Sequence, residues 1–167
     1  MKIKPSGTKR VIKQDIVIPD GFILITDTRE QDPLFRKPPK GLLIVRDTLR
    51  AGDYSCKGFE NAISIERKGL NDFYGSISNG RDRFKRELEL LKGYQWAGLV
   101  IEADEATVLS ANSMYTQMHP LAVKQTIVSI ELRYRINIYY SKCRADAERW
   151  ALDRLIYFYT LKRKGEL

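Results

Sequence analysis

Residues 62–73, AISIERKGLNDF, begin as a buried β-strand and end in three consecutive charges. Ala62, Ile63 and Ile65 have the character of core, and Glu66, Arg67 and Lys68 follow with no turn residue between. An isolated charge is costly to bury, so these three need surroundings unlike those of the isoleucines. Strand alternation supplies them. Glu66 and Lys68 share one face, while Arg67 lies on the other with Ile63 and Ile65.

The same break recurs upstream. GFILITDTRE reads as a strand over Phe22–Thr26 that runs into charge at Asp27, and LLIVRDTL reads as a strand over Leu42–Leu49. DPLFRKPPKG between them is a loop, punctuated by Pro33, Pro38 and Pro39. Gly52 marks a turn or bulge before a short strand through Tyr54, which the KGFEN turn pairs with AISIERK as a hairpin. Leu70–Ser78 forms a short helix. Arg81–Lys92 forms another, with Phe84, Leu88 and Leu91 on one stripe. WAGLVIEA is a buried strand of the parallel type, and INIYYS near 136–141 is another. Helices are expected over 120–134 and 145–162. Alternating strands and helices specify an α/β sandwich, a mixed sheet with helices on both faces.

The 167 residues suffice for one domain with a real core and little more. The expected organisation is a basic, flexible arm over residues 1–14 and a single domain over 15–167. No apolar run reaches the ~18 residues that span a bilayer, and the basic start lacks a signal sequence's apolar segment; an intracellular, soluble protein is expected. Cys56 and Cys143 have no CxxC partner, which excludes a cysteine-based zinc site. The single histidine, His119, precedes Pro120 at an expected helix start and reads as a cap or surface residue. The formal charge of +8, from 29 Lys and Arg against 21 Asp and Glu, suits a polyanionic partner.

A lysine and a glutamate on one strand face, with further acids on neighbouring strands, make a device for phosphodiester hydrolysis. Asp53 precedes Glu66 on the hairpin, and Asp27 ends the first strand. Oxygen ligands from Asp27, Asp53 and Glu66 suit a hard divalent cation such as Mg²⁺, which would polarise the phosphodiester and lower the pKa of water. Lys68 would position or deprotonate that water, or stabilise the developing phosphorane charge. A cross-strand surface pair of Glu66 and Lys68 is the plainer alternative.

DTRE at 27–30, GDY at 52–54, IERKGLNDF at 65–73 and SISNGRDRF at 76–84 together resemble the nuclease domain of the XPF family, structure-specific DNA endonucleases related to the archaeal Hef nuclease. The match in order and spacing runs from about Gly21 to Ala103. The resemblance implies the restriction-endonuclease-like fold of the PD-(D/E)xK superfamily. It implies Mg²⁺ or Mn²⁺ as cofactor, and hydrolysis of one DNA strand near a branch, flap or fork, in DNA repair or recombination. By motif, Asp27, Asp53 and Glu66 become metal-site acids and Lys68 the catalytic lysine. Arg67 is the motif arginine among the catalytic residues; alternation points it away from Lys68, so its role there would be to orient Glu30 or Asp72. Asp72 fits a helix N-cap and an active-site support equally. The chain carries no helix-hairpin-helix or helicase pattern, and Lys85-Arg86-Glu87 stand where family members often have a glutamine, so the family's branch preference is open here. A catalytically idle DNA-binding or scaffold subunit, and a nuclease on plain single- or double-stranded DNA, are the alternatives.

Arg29, Arg81, Arg83, Lys85 and Arg86 are the expected DNA contacts, through phosphate. Leu121, Val128 and Leu132 form one face of the 120–134 helix, and Val123, Ile127, Ile130 and Tyr134 nearly the opposite one. The final helix is apolar almost all round. A surface helix on one core needs a single stripe, so a homodimer through these C-terminal helices is expected, as the resemblance also implies.

Overall fold

The computed structural model describes residues 16–167; the expected basic arm over 1–14 lies outside the described residues. Six strands form one mixed sheet. They are β1 (Ile23–Asp27), β2 (Leu43–Asp47), β3 (Tyr54–Cys56), β4 (Ile63–Gly69), β5 (Trp96–Glu102) and β6 (Asn137–Tyr140). Their spatial order is β2-β1-β3-β4-β5-β6. The pairs β1–β2, β4–β5 and β5–β6 are parallel, and β3 runs antiparallel to both β1 and β4. The expected hairpin is therefore β3–β4.

Helix α5 (Arg144–Lys164) covers one face of the sheet. Helices α1 (Leu70–Ile77), α2 (Arg81–Lys92), α3 (Glu105–Ser110) and α4 (Pro120–Tyr134) cover the other. This is the expected three-layer α/β sandwich. Strand alternation sorts the two cores. Ile63, Ile65 and Val100 pack with Trp150, Ala151 and Leu155 of α5. Ala97, Leu99 and Ile101 pack with Phe73, Phe84, Leu88 and Val123 on the opposite side.

Helix α3 is absent from the sequence reading. One turn and a half is too short for a periodic stripe, but its cap is local: the Asp104 carboxylate accepts a hydrogen bond from the Thr107 amide at 2.9 Å. His119 does cap α4, its Nδ1 accepting from the Leu121 amide at 3.2 Å.

The C-terminal helices part from expectation in one respect. Most apolar residues of α5, from Ala147 and Trp150 to Phe158 and Tyr159, are buried in the chain's own core. The near-complete apolar girth follows from one long helix lying across the whole sheet. On α4 the two faces are real: Val123, Ile127 and Ile130 are buried, while Leu121, Val128 and Leu132 are exposed. Among the described residues no helix is long and apolar enough to cross a membrane.

Candidate active site

Three strands converge on one point through their backbones. The Asp27 amide donates to the Asp53 carbonyl at 2.8 Å, and the Asp53 amide donates to the Ile65 carbonyl at 2.8 Å. Asp53 is thereby held between the end of β1 and the middle of β4. Gly52 makes this possible. Its φ is +80°, and a Cβ there would collide with the Ser64 hydroxyl, which is itself engaged by the Ala51 carbonyl at 2.8 Å. Only glycine combines that backbone with that approach.

The Asp53 carboxylate then accepts from the Arg67 amide at 2.7 Å. Glu66 and Lys68 lie on the α1/α2 side of β4, as alternation requires. That side is not open at this level. Glu66 is 4% exposed, and Lys68 passes over the Phe84 ring of α2 at 4.9 Å to reach the Glu66 Oε1 at 2.7 Å. The other carboxylate oxygen, Glu66 Oε2, is buried without a hydrogen-bond partner among the described residues.

This burial controls the charges. Desolvation, opposed by the Arg67 amide and reinforced by nearby carboxylates, pushes Asp53 up to about 7. Glu66 is raised well above the usual carboxylate range, by burial first and then by the Asp53 charge. Burial lowers the proton affinity of Lys68, but the Glu66 carboxylate outweighs it and the amine holds its proton more tightly than a free lysine. Glu87 of α2 adds a further carboxylate 4.0 Å from the Lys68 amine.

Asp27 behaves differently. Its oxygens accept four hydrogen bonds: from the Arg29 amide at 2.8 Å, from the Arg29 guanidinium at 2.7 and 3.1 Å, and from the Leu49 amide at 2.8 Å. Burial raises its proton affinity, but the Arg29 contacts more than offset this and keep it below the usual aspartate range. Among the described residues no three acidic, histidine or cysteine side chains form a group placed to hold a metal ion. The acids that do press on one another are Asp53 and Glu66.

Two adjoining hollows open onto this point, of about 380 and 400 Å³, sharing Arg29, Asp53, Glu66, Lys68 and Arg83 in their walls. Asp72 lines the first. It stands in the first turn of α1, whose N-cap is Gly69 with no side-chain capping bond. The N-cap alternative therefore falls, because β4 runs directly into α1 and the cap position comes three residues earlier. Arg86 and Arg50 line the second hollow. Arg81 and Lys85 instead line a separate groove between α2 and α4, with Arg133. The five basic residues grouped by sequence thus divide between two surfaces, Arg29, Arg83 and Arg86 at the cleft and Arg81 and Lys85 at the α2/α4 groove.

Arg67 reaches the opposite, α5 side. Its guanidinium grips Glu102 through two bonds, at 2.7 and 3.0 Å, donates to the Asp32 carbonyl at 2.9 Å, and lies 3.4 Å from a Glu30 oxygen. Burial weakens its hold on the proton, but the two Glu102 bonds more than restore it. Of the two partners expected for Arg67, Glu30 is there and Asp72 is not. The Glu30 carboxylate also accepts from the Tyr54 hydroxyl at 3.3 Å. Asp32 in turn pairs with Arg144 of α5 at 2.6 Å. Glu102, Asp32, Arg144, Glu87 and Arg50 were all missed by sequence reasoning. Only the register of β4 against β5, Arg67 beside Val100 and Gly69 beside Glu102, brings Glu102 near.

Residues 26–153 match the family model for the ERCC4 domain, more than half of the chain. The chain belongs to the ERCC4 domain family. The fold agrees. XPF from Aeropyrum pernix in complex with DNA superposes with a TM-score of 0.61 at 19% identity, covering 82% of this chain and 64% of that one. XPF from Aeropyrum pernix alone gives a TM-score of 0.61 at 19% identity, covering 82% of this chain and 61% of that one. The ERCC4 chain described here thus spans less than two thirds of the length of the structures it resembles. A search of curated protein sequences finds no match. Asp27, Asp53, Glu66, Arg67, Lys68, Asp72, Arg81, Arg83 and Arg86 all fall within the matched ERCC4 segment.

Proposed function

We propose that this ERCC4 domain is a divalent-cation-dependent endonuclease that hydrolyses DNA phosphodiester bonds at branched, flapped or forked structures. One observation carries the reading: Asp53 and Glu66 meet in a cleft with a buried Glu66 oxygen that has no hydrogen-bond partner among the described residues, beside a lysine that keeps its proton. Two mutually repelling carboxylates with an orphaned acceptor fit a hard cation, whose charge would compensate both. Asp53 and Glu66 would hold it. Mg²⁺ or Mn²⁺ bound there would supply charge for the scissile phosphate and acidify a water.

The protein's own groups do the rest. Lys68 stays protonated, which favours charge stabilisation at the phosphate over proton abstraction. Asp27 fixes Arg29 at the cleft wall and the Leu49 backbone behind it, a supporting role in place of a ligand. Asp72 lines the first hollow as a polar support. Arg29, Arg83 and Arg86 face the cleft and suit phosphate contact without base readout. The DNA bound by the Aeropyrum pernix protein supports DNA as the substrate class, with Arg81 and Lys85 as contacts outside the cleft. The test is cleavage of labelled fork, flap, junction, duplex and single-strand DNA with Mg²⁺, Mn²⁺ or EDTA. Metal-dependent cleavage lost in Glu66→Gln supports the reading; binding without cleavage supports an idle subunit.

A second copy of the chain is the proposed cover for Leu121, Val128 and Leu132, which are 55%, 42% and 76% exposed on one face of α4. Light scattering then gives twice 19.3 kDa, and Leu132→Asp returns it to the single-chain mass.

A further inference from the structure

On the α5 side of β4 lies a set of charges, of which Glu102, Asp32 and Arg144 line neither of the two cleft hollows. Glu102 closes β5 and holds the Arg67 guanidinium by both oxygens, at 2.7 and 3.0 Å. Arg67 is 11% exposed at its side chain and Glu102 20%. The same guanidinium reaches the Asp32 carbonyl at 2.9 Å, and Asp32 is tied to Arg144 at 2.6 Å. The Arg67 side chain is thus fixed at its tip to two elements, β5 and the loop after β1, and that loop is tied through Asp32 to the first residue of α5.

Its backbone has another duty. The Arg67 amide donates to Asp53 Oδ2 at 2.7 Å, the one hydrogen bond that the Asp53 carboxylate receives among the described residues. The residues on either side of that amide are Glu66 and Lys68. One peptide segment therefore sets the aim of Asp53, Glu66 and Lys68 together, and the grip on the Arg67 tip sets the position of that segment. A bidentate carboxylate–guanidinium pair is directional as well as strong, so it resists rotation of β4 at its end, where the ladder gives way to α1.

We propose that Glu102 is a positioning residue for the cleft, holding Asp53, Glu66 and Lys68 in register through Arg67. It touches neither substrate nor cation. The inference rests on the nuclease reading for its kinetic consequence, and on the hydrogen-bond geometry alone for its structural one. A pair that served only stability would set the unfolding temperature and leave the turnover of folded protein unchanged.

The experiment compares wild type with Glu102→Gln, Glu102→Asp and Glu102→Ala in the 167-residue chain. Glu102→Gln keeps the shape, so folding survives even where Glu102→Ala fails. Steady-state cleavage of a labelled flap with Mg²⁺ is measured well below the unfolding temperature, and amide hydrogen exchange is followed without DNA or metal. Glu102→Gln is expected to lower kcat about 10–100-fold, as loss of an orienting partner does, with KM for DNA within about twofold. Glu102→Asp is expected to recover part of that loss. The Arg67 amide is expected to exchange about tenfold faster in Glu102→Gln, with the Ile63 amide unchanged. A kcat within twofold of wild type, or unchanged exchange at Arg67, overturns the proposal. Should wild type cleave none of the DNA structures, the nuclease reading falls, and the exchange at Arg67 decides the positioning role by itself.

Discussion

The last turn of β4 has two sides built from the same kinds of residue and left in opposite states. On the α5 side, Arg67 meets Glu102, Glu30 and the Asp32 carbonyl, and every charge has a close partner. On the α1/α2 side, Asp53, Glu66 and Glu87 crowd around Lys68 with Arg29 and Arg83 on the walls, and one Glu66 oxygen has no hydrogen-bond partner among the described residues. The first arrangement stabilises the fold. The second destabilises it, because burial and like charge act together on two carboxylates. A fold that satisfies charges so well on one side of a strand has the means to do so on the other. The unsatisfied side is the one expected to gain from a ligand.

The largest effect expected of breaking this contrast is on cleavage. Asp53→Asn or Glu66→Gln should lower kcat by about 10²–10³-fold or more, the range for removing a preorganised electrostatic group. Neither should lower the unfolding temperature at pH 8 in EDTA; a clear drop there would mean that these acids are structural. The mirror experiment is Arg67→Met, which strands buried carboxylates. It should lower the unfolding free energy by about 3 kcal/mol in urea titration, and near-neutral behaviour would erase the distinction between the two sides.

The pH dependence of stability sharpens the contrast further. Asp53 binds its proton at about 7 in the folded chain, against about 3.9 for an unfolded aspartate. A raised folded value means that the native state binds the proton more tightly. The contribution is therefore fully present below about pH 4 and is lost as pH rises toward 7. Taken as the difference between wild type and Asp53→Asn in EDTA, stability should fall by about 2 kcal/mol from pH 5 to pH 8, allowing for coupling to Glu66. Mg²⁺ should restore it at pH 8 and do little at pH 5. A flat difference would show that Asp53 is ionised without strain.

The smallest effect separates the basic residues. Arg83→Ala, at the cleft, should raise KM for DNA about threefold and reduce the salt slope by about one ion. Arg81→Ala, beside α4, should change both less. Equal effects would mean that the DNA path crosses both surfaces.

Much of the fold was legible because its signals are local. The apolar runs Ile23–Thr26, Ile63–Ile65 and Ala97–Ile101 are strands, and the stripe of Phe84, Leu88 and Leu91 is a helix face. Gly52-Asp53 announced a special backbone, which its positive φ bears out. Short elements without a stripe, such as α3, were not legible. Nor were contacts that depend on which strands lie side by side. Glu102 is 35 residues from Arg67, and nothing in either segment names the other.

The sequence by itself determined that Glu66 and Lys68 share a face and that Arg67 opposes them, because side-chain alternation is a property of the strand alone. Tertiary structure decided what each face means. Packing α2 over Glu66 removed water and pushed its proton affinity up. Laying β5 and α5 beside Arg67 supplied its partners. Asp27, an acid at a strand end like Asp53, was drawn into four hydrogen bonds by the loops that happened to surround it. Charge is written in the residue, but its energy depends on solvent and neighbours, and those exist only once the chain has folded.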